Sequence, residues 1–388
     1  MALNQLLSSV IRQYSKVSRN KERIYDAYLV GYYGMKNSGD DALLLASVMG
    51  AKNELNAKKL IVSSTSNASP LGPDIILNKL HQDQSFKGQN RLAHYRAAYN
   101  SKRIIFGGGS VFHTAQDIEL KRQMMALCGS DESIAVGVSM GPFANKQAEL
   151  QCKEFIKECR FIGVRDRKSL QIAKDLVPEA NVKLTFDLAP LVTLTPFFSI
   201  KKRKENGVLI NICPVPVNAS GETNSHEQEE LLKNMKEVIT LAWKQTKLPI
   251  TLISLNGHPD YGDDELCKKL ILRCNKDIPI KFEPYQPSPL KVIELIKSYR
   301  AFLSMRLHGC VYGYLANTPV LALNYHNKCQ QWCEQIGIAR SQRFSAFTFN
   351  PSLVASTLTK GIENGFSSPL LAVNDAVKLS LLNWRFES

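Results

Sequence analysis

Long apolar runs are missing from this chain. No stretch approaches the ~20 consecutive apolar residues of a transmembrane helix, so nothing in it reads as a membrane span. No secretory leader is expected either. Met1 to Arg23 carries Leu6, Leu7, Val10, Ile11, Tyr14 and Val17 near helical spacing, without the apolar core and small-residue cleavage site of a signal peptide. The expectation is a cytoplasmic protein, working in the cytosol or at the inner face of the membrane. There is no disulfide framework either: the nine cysteines are odd in number and scattered, the pattern of a reducing compartment. Cys329 and Cys333 stand four apart with His326 nearby, but no Cys-x-x-Cys or second ligand pair accompanies them, so packing is expected and a metal site is not. Helix-turn-helix, zinc-finger and RNP-type signatures are absent. The net charge of +14 is therefore read as suiting an anionic small substrate, an anionic lipid-linked glycan or peripheral contact with a membrane surface, not nucleic acid. The densest basic run, Lys201-Lys202-Arg203-Lys204, reads as a solvated linker.

What is present is a rhythm of apolar strands, each breaking into a small polar tip. Ala27 to Tyr33 runs into Gly34-Met35-Lys36-Asn37-Ser38-Gly39-Asp40-Asp41, after which a helix begins at Ala42. Ile104-Ile105-Phe106 runs into Gly107-Gly108-Gly109-Ser110, and Ile134 to Val138 into Ser139-Met140-Gly141-Pro142. Phe161 to Val164 leads to Arg165-Asp166, and Val182 to Phe186 leads to Asp187. In open α/β sheets ligands sit beyond the carboxyl ends of parallel strands, where all these tips fall. At 388 residues the chain is long enough for two such domains. The boundary is expected at Ser199 to Asn206, giving an N-terminal Rossmann-like domain over 1–200 and a C-terminal one over 206–388, facing across a cleft, with the last helix crossing back onto the first.

The most telling stretch is Ser304-Met305-Arg306-Leu307-His308-Gly309, between an expected strand Tyr299 to Leu303 and an expected helix Cys310 to Ala316. A fixed cation and an imidazole at a helix N-terminus form a setting for phosphate or carboxylate. The loop at Gly31 to Asp41 differs. Its two aspartates already answer the helix dipole and repel a pyrophosphate, so it suits a hydroxyl-rich ligand such as a sugar, or is simply a capped turn. Each feature alone has a structural reading: an ion pair for Arg306 or Arg165, a core histidine for His308, a permissive turn for the glycines.

Taken in order, Gly31-x-x-Gly34 with Asn37-x-Gly39-Asp40-x-Ala42-Leu43, then Gly107-Gly108-Gly109, Gly141-Pro142, Val164-Arg165-Asp166, Asp187 and Met305-Arg306-Leu307-His308 resemble the signature set of the polysaccharide pyruvyl transferases. The resemblance implies two Rossmann-like domains of glycosyltransferase-B type and transfer of the enolpyruvyl-derived group of phosphoenolpyruvate to hydroxyls of a sugar in a cell-surface polysaccharide or its precursor, forming a pyruvate ketal. It also implies that Arg306, Leu307 and His308 contribute to the phosphoenolpyruvate site, with Arg165 as a further donor contact. The acceptor, free or lipid-linked, falls to the first domain, at Gly34, Asn37, Asp40, Gly108 and Gly109. That chemistry needs cations to hold phosphate and carboxylate, for which Arg306 and Arg165 suit. It also needs a general acid, His308, and a base, Asp187 or Asp40. Lys328 is an added phosphate contact, and no cofactor is called for. Ser38 and Ser110-Val111-Phe112-His113 depart from the usual pattern and leave the acceptor sugar open. The competing expectations are a nucleotide-sugar glycosyltransferase of the same architecture and a noncatalytic glycan- or nucleic-acid-binding module.

Overall fold

The computed structural model describes residues 22–65, 74–129, 131–196, 198, 206–215 and 225–386. The apolar spacing of Leu6 to Val17, the core of the boundary after Ser199 and the run Lys201 to Lys204 lie outside them. The chain divides into two compact units, one of Met1–Met35, Asp40–Val192 and Ala376–Ser388, the other of Lys36–Gly39 and Thr193–Asp375.

The first unit is built on seven parallel strands: β1 Ala27–Val30, β2 Leu60–Ser64, β3 Ile75–Lys79, β4 Ile104–Phe112, β5 Ile134–Met140, β6 Phe161–Val164 and β7 Val182–Leu184, in the order β3-β2-β1-β4-β5-β6-β7. Continuous apolar runs such as Ala27–Val30 and Ile134–Met140 are buried along their whole length, as strands covered on both faces must be. The chain winds outward from β1 to β3, returns to β4 and winds the other way, so the strand order switches between β1 and β4.

Two tips read as loops are strand in the structure. β4 continues through Gly107-Gly108-Gly109 to Phe112, and β5 through Ser139 to Met140. Gly108 and Gly109, at φ of 71° and 81°, let β4 bulge, with the register to β5 shifting between Gly109 and Phe112, so the ladder survives residues that would otherwise end it. At Gly107 a side chain is excluded for another reason: a Cβ would stand 2.3 Å from the Tyr33 hydroxyl, which donates to the Gly107 carbonyl at 2.8 Å.

Asn383 and Trp384 close this unit. Asn383 accepts from the Gly137 amide at 2.7 Å and from Thr185 Oγ1 at 2.8 Å, and donates to the Phe186 carbonyl at 3.0 Å. Gly50 and Gly163 leave room for Trp384 and Asn383, each of which a Cβ would meet at about 2 Å. The C-terminal segment is thus laced across β5 and β6.

The second unit repeats the architecture with six parallel strands: β8 Val208–Asn211, β9 Ile250–Ile253, β10 Ile280–Glu283, β11 Ala301–Ser304, β12 Val320–Asn324 and β13 Arg343–Ser345, in the order β10-β9-β8-β11-β12-β13. Its switch falls between β8 and β11, where Asn211 lies in register with Ser304. Leu231, Leu232, Met235, Val238, Ile239 and Ala242 are the buried stripe of the helix Ser225–Thr246 that covers this sheet. All nine cysteines are free thiols and all but Cys274 are buried, Cys329 and Cys333 among them. Among the described residues no helix is long and apolar enough to cross a membrane.

Candidate functional site

At the carboxyl end of β11 the chain passes Met305 and Arg306 and enters the helix Leu307–Leu315. Leu307 and His308 therefore sit in the first helical turn, three residues earlier than the apolar pattern from Cys310 suggests. Arg306 is the N-cap residue, yet its side chain makes no capping bond. It turns instead to Asp263. Arg306 Nε donates to both Asp263 oxygens, at 2.8 and 2.9 Å, and Nη2 to Oδ1 at 2.6 Å.

Asp263 is fully buried. Its Oδ2 also accepts from the Leu255 amide at 2.9 Å, the Asn256 amide at 3.2 Å and Asn211 Nδ2 at 3.1 Å. Asn211, at the end of β8, uses its Oδ1 to accept from the Arg306 amide at 3.1 Å. Burial opposes the guanidinium charge, but the Asp263 charge and hydrogen bonds outweigh it and hold Arg306 protonated. One edge of the guanidinium is thereby spent on the protein. Nη1 makes no hydrogen bond to the described residues.

His308 sits against the tip of the β1 loop. Residues 36–39 belong to this second unit, pinned by Ser38 N to the Leu255 carbonyl and Gly257 N to the Lys36 carbonyl, each 2.9 Å. Asn37 Oδ1 accepts from the Gly39 amide at 3.0 Å, closing a tight turn. Gly39 lies directly on the imidazole: a Cβ there would stand 2.1 Å from His308 Nδ1. One turn further along the same helix, Tyr312 donates to the Ser38 carbonyl and accepts from Ser38 Oγ at 3.2 Å. The structure thus brings Asn37 into one unit with Arg306, Leu307 and His308. Lys328, half-buried in the first turn of the helix Asn327–Gln335, follows β12 in the same unit, its amide donating to His326 Nδ1 at 3.1 Å.

The other expected residues belong to the first unit. Arg165 and Asp187 form a buried pair, Nη1 to Oδ2 at 2.7 Å, and Arg165 Nε donates to Ser139 Oγ at 2.7 Å. Ser139 in turn donates to Asp166 Oδ2 at 2.8 Å, and Asp166 caps the helix Arg167–Leu176 through the Ser169 amide. Asp187 Oδ1 accepts from the Ala189 amide at 2.9 Å. Gly34 lies in the β1 loop at φ 79°, its carbonyl accepting from Thr65 Oγ1 at 2.9 Å, and Asp40 in the first turn of the helix Ser38–Asn53. Gly108 and Gly109 form the β4 bulge.

Asp263, Asn211, Ser139 and Tyr312 are organising residues that reading the sequence missed. Gly262-Asp263-Asp264 before an apolar-striped helix looks like an ordinary cap. Only its geometry separates it, since Asp263 forgoes the capping bond and serves Arg306.

Comparison with known proteins decides the family. The family model described as polysaccharide pyruvyl transferase matches residues 37–327, three quarters of the chain and every element around Arg306. The chain belongs to the polysaccharide pyruvyl transferase family. Among curated proteins none is significantly similar in sequence. Solved structures of like fold include the UDP-GlcNAc 2-epimerase of Methanocaldococcus jannaschii, at 11% identity and a TM-score of 0.58 over 92% of this chain and 98% of that one. HepE of Anabaena, solved with UDP-glucose, gives 10% and 0.53 over 93% and 96%. The lipopolysaccharide outer core galactosyltransferase WaaB gives 10% and 0.52 over 92% and 97%. At such identities the likeness establishes the fold alone, and it is the glycosyltransferase-B type: two Rossmann-like units in one chain.

Proposed function

We propose that this pyruvyl transferase takes phosphoenolpyruvate as donor and joins its three-carbon unit, as a cyclic ketal, to two hydroxyls of one sugar residue in a cell-surface polysaccharide or its precursor. The observation that carries the reading is the Arg306-Leu307-His308 turn. Inside the family match, at the switch point of the second sheet, a guanidinium is locked in orientation by a buried carboxylate and an imidazole rides the adjoining helix turn. Such a locked cation suits an anionic donor, because its orientation costs nothing further at binding.

In this scheme Arg306 offers Nη1 to the donor's phosphate or carboxylate, and Lys328 adds charge to the same unit. His308 gives a proton to the methylene carbon of phosphoenolpyruvate. A sugar hydroxyl then attacks the adjacent carbon and loses its proton, inorganic phosphate departs, and the second hydroxyl closes the ketal as its proton is released. On the first unit Arg165, aligned by Asp187 and Ser139, is offered to an anionic group of the reactants. Since Asp187 already neutralises Arg165, we assign it to positioning and leave the base role to Asp40, which with Gly34, Gly108 and Gly109 makes up the proposed acceptor loops of the first unit. The enol phosphate itself supplies the driving force, so no step calls for a metal or organic cofactor. The acceptor is free or lipid-linked, and the basic chain works in the cytoplasm or against the inner membrane face.

The test is phosphate release from phosphoenolpyruvate across acceptors containing galactose, glucose, mannose or N-acetylmannosamine, with the ketal identified by mass spectrometry. Release that depends on one acceptor is expected. Thermal protection by UDP-sugars and none by phosphoenolpyruvate would replace the reading with a nucleotide-sugar glycosyltransferase.

A further inference from the structure

The second unit holds a polar groove that the scheme above does not use. It encloses about 580 Å³ at the carboxyl ends of β12 and β13, on the ligand side of a doubly wound sheet. Asn324 lies in register with Ser345, and Ala322 with Arg343, so Asn324, Ser345 and Arg343 project from one face of the paired strands. All three line the groove. Asn324 Oδ1 and Arg343 Nε are buried atoms with no hydrogen-bond partner among the described residues. One needs a donor, the other an acceptor, and a hydroxyl is both.

The rest of the wall is fixed. Arg343 Nη1 donates to Glu334 Oε1 at 2.9 Å, and the same oxygen accepts from Gln330 Nε2 at 3.0 Å. Phe347, also lining the groove, is 45% exposed and offers an aromatic face. Amide, carboxylate and guanidinium held at fixed spacing beside an aromatic ring suit a ligand with several hydroxyls on an apolar ring face. Asn324 and Tyr325 line the groove at the end of β12, and its neighbour β11, with Ser304 in register with Ala322, leads directly into Arg306, so the groove adjoins the turn assigned to the donor.

We propose that this groove is a subsite for a pyranose ring, one hydroxyl bridging Asn324 Oδ1 and Arg343 Nε and a ring face resting on Phe347. That the ring belongs to the acceptor rests on the pyruvyl-transfer reading; that the groove binds a sugar does not.

The full chain, without phosphoenolpyruvate, is titrated with the methyl glycosides of galactose, glucose and mannose and followed by saturation-transfer NMR. At least one glycoside should bind, with affinity falling about tenfold in Asn324→Leu and in Phe347→Ala, the size of one lost contact. Phe347→Ala removes a half-exposed ring, so the test survives if Asn324→Leu fails to fold. No glycoside binding, or binding unchanged in folded variants, overturns the proposal and returns the orphan atoms to ordered water. With phosphoenolpyruvate and a working acceptor, the variants should raise acceptor KM about tenfold and leave donor KM alone. Turnover with acceptor KM unchanged sinks the subsite and spares pyruvyl transfer; variant-sensitive glycoside binding without any phosphoenolpyruvate turnover does the reverse.

Discussion

Arg306 is held by a carboxylate it cannot leave without cost. Removing one partner of a buried ion pair strands the other, typically at about 3–5 kcal/mol, so Arg306→Ala is expected to lower stability by that order as well as abolish donor binding. Denaturant titration with phosphoenolpyruvate calorimetry checks both. The double variant Arg306→Met with Asp263→Asn removes both charges yet keeps an oxygen for the Leu255 and Asn256 amides, and should recover part of the stability and none of the affinity. A double variant no more stable than Arg306→Ala would show that the pair is not what is lost. Gly39 is the second sensitive residue, since a methyl group there collides with the imidazole. Gly39→Ala should leave phosphoenolpyruvate affinity near normal while turnover falls by roughly the 10²–10⁴-fold typical of lost acid catalysis. Unchanged turnover would take the acid role from His308. A third prediction concerns His94, whose Nδ1 is hydrogen-bonded to the Tyr28 hydroxyl at 2.8 Å. Burial, with Lys121 adding to it and Asp117 opposing, lowers its pKa to about 4. Between that value and the ordinary 6.5 the unfolded chain binds a proton that the folded one does not. The His94 contribution to stability should therefore fall as pH drops from 6.5 to 4, by up to about 3 kcal/mol, and change no further below that. His94→Gln should flatten that limb of the pH–stability curve.

At the scale of elements, the sheet is the legible part. Apolar runs ending in small polar residues give away the parallel strands, because strands buried on both faces have no polar alternate positions. The Arg306 to His308 turn is legible for the same reason, its polar residues interrupting apolar neighbours. What the sequence hides is partnership. Asp263 lies 43 residues from Arg306 and reads as a cap, while Asn37 reads as part of the first domain although its turn is pinned to Leu255 and Gly257. Glycines misled in one direction only: Gly107 to Gly109 suggest a loop, yet a bulge lets a strand absorb them. The C-terminal segment carries its own prediction. Asn383→Ala strips partners from the buried Gly137 amide and Phe186 carbonyl, and each orphaned group costs about 1–3 kcal/mol. The melting temperature should fall by several degrees; an unchanged one would mean that water enters to replace the amide.

Over the whole molecule, each unit is completed by chain from the far side of the other in sequence. Residues 36–39 belong to the second unit, and Ala376–Ser388 to the first. A chain truncated after residue 196 should therefore be insoluble or molten by near-UV circular dichroism, and gain structure when the 376–388 peptide is supplied in trans. A cooperative melt of the truncated chain alone would refute this. The lacing also has a bearing on biosynthesis. A ribosome makes the strands of the first sheet early, yet Ser380 and Asn383, which seat against them, emerge 193 to 246 residues after their partners Asp187 and Gly137. The first unit of this enzyme waits, incompletely sealed, until that distant segment has been made, and that interval is when chaperones would find it.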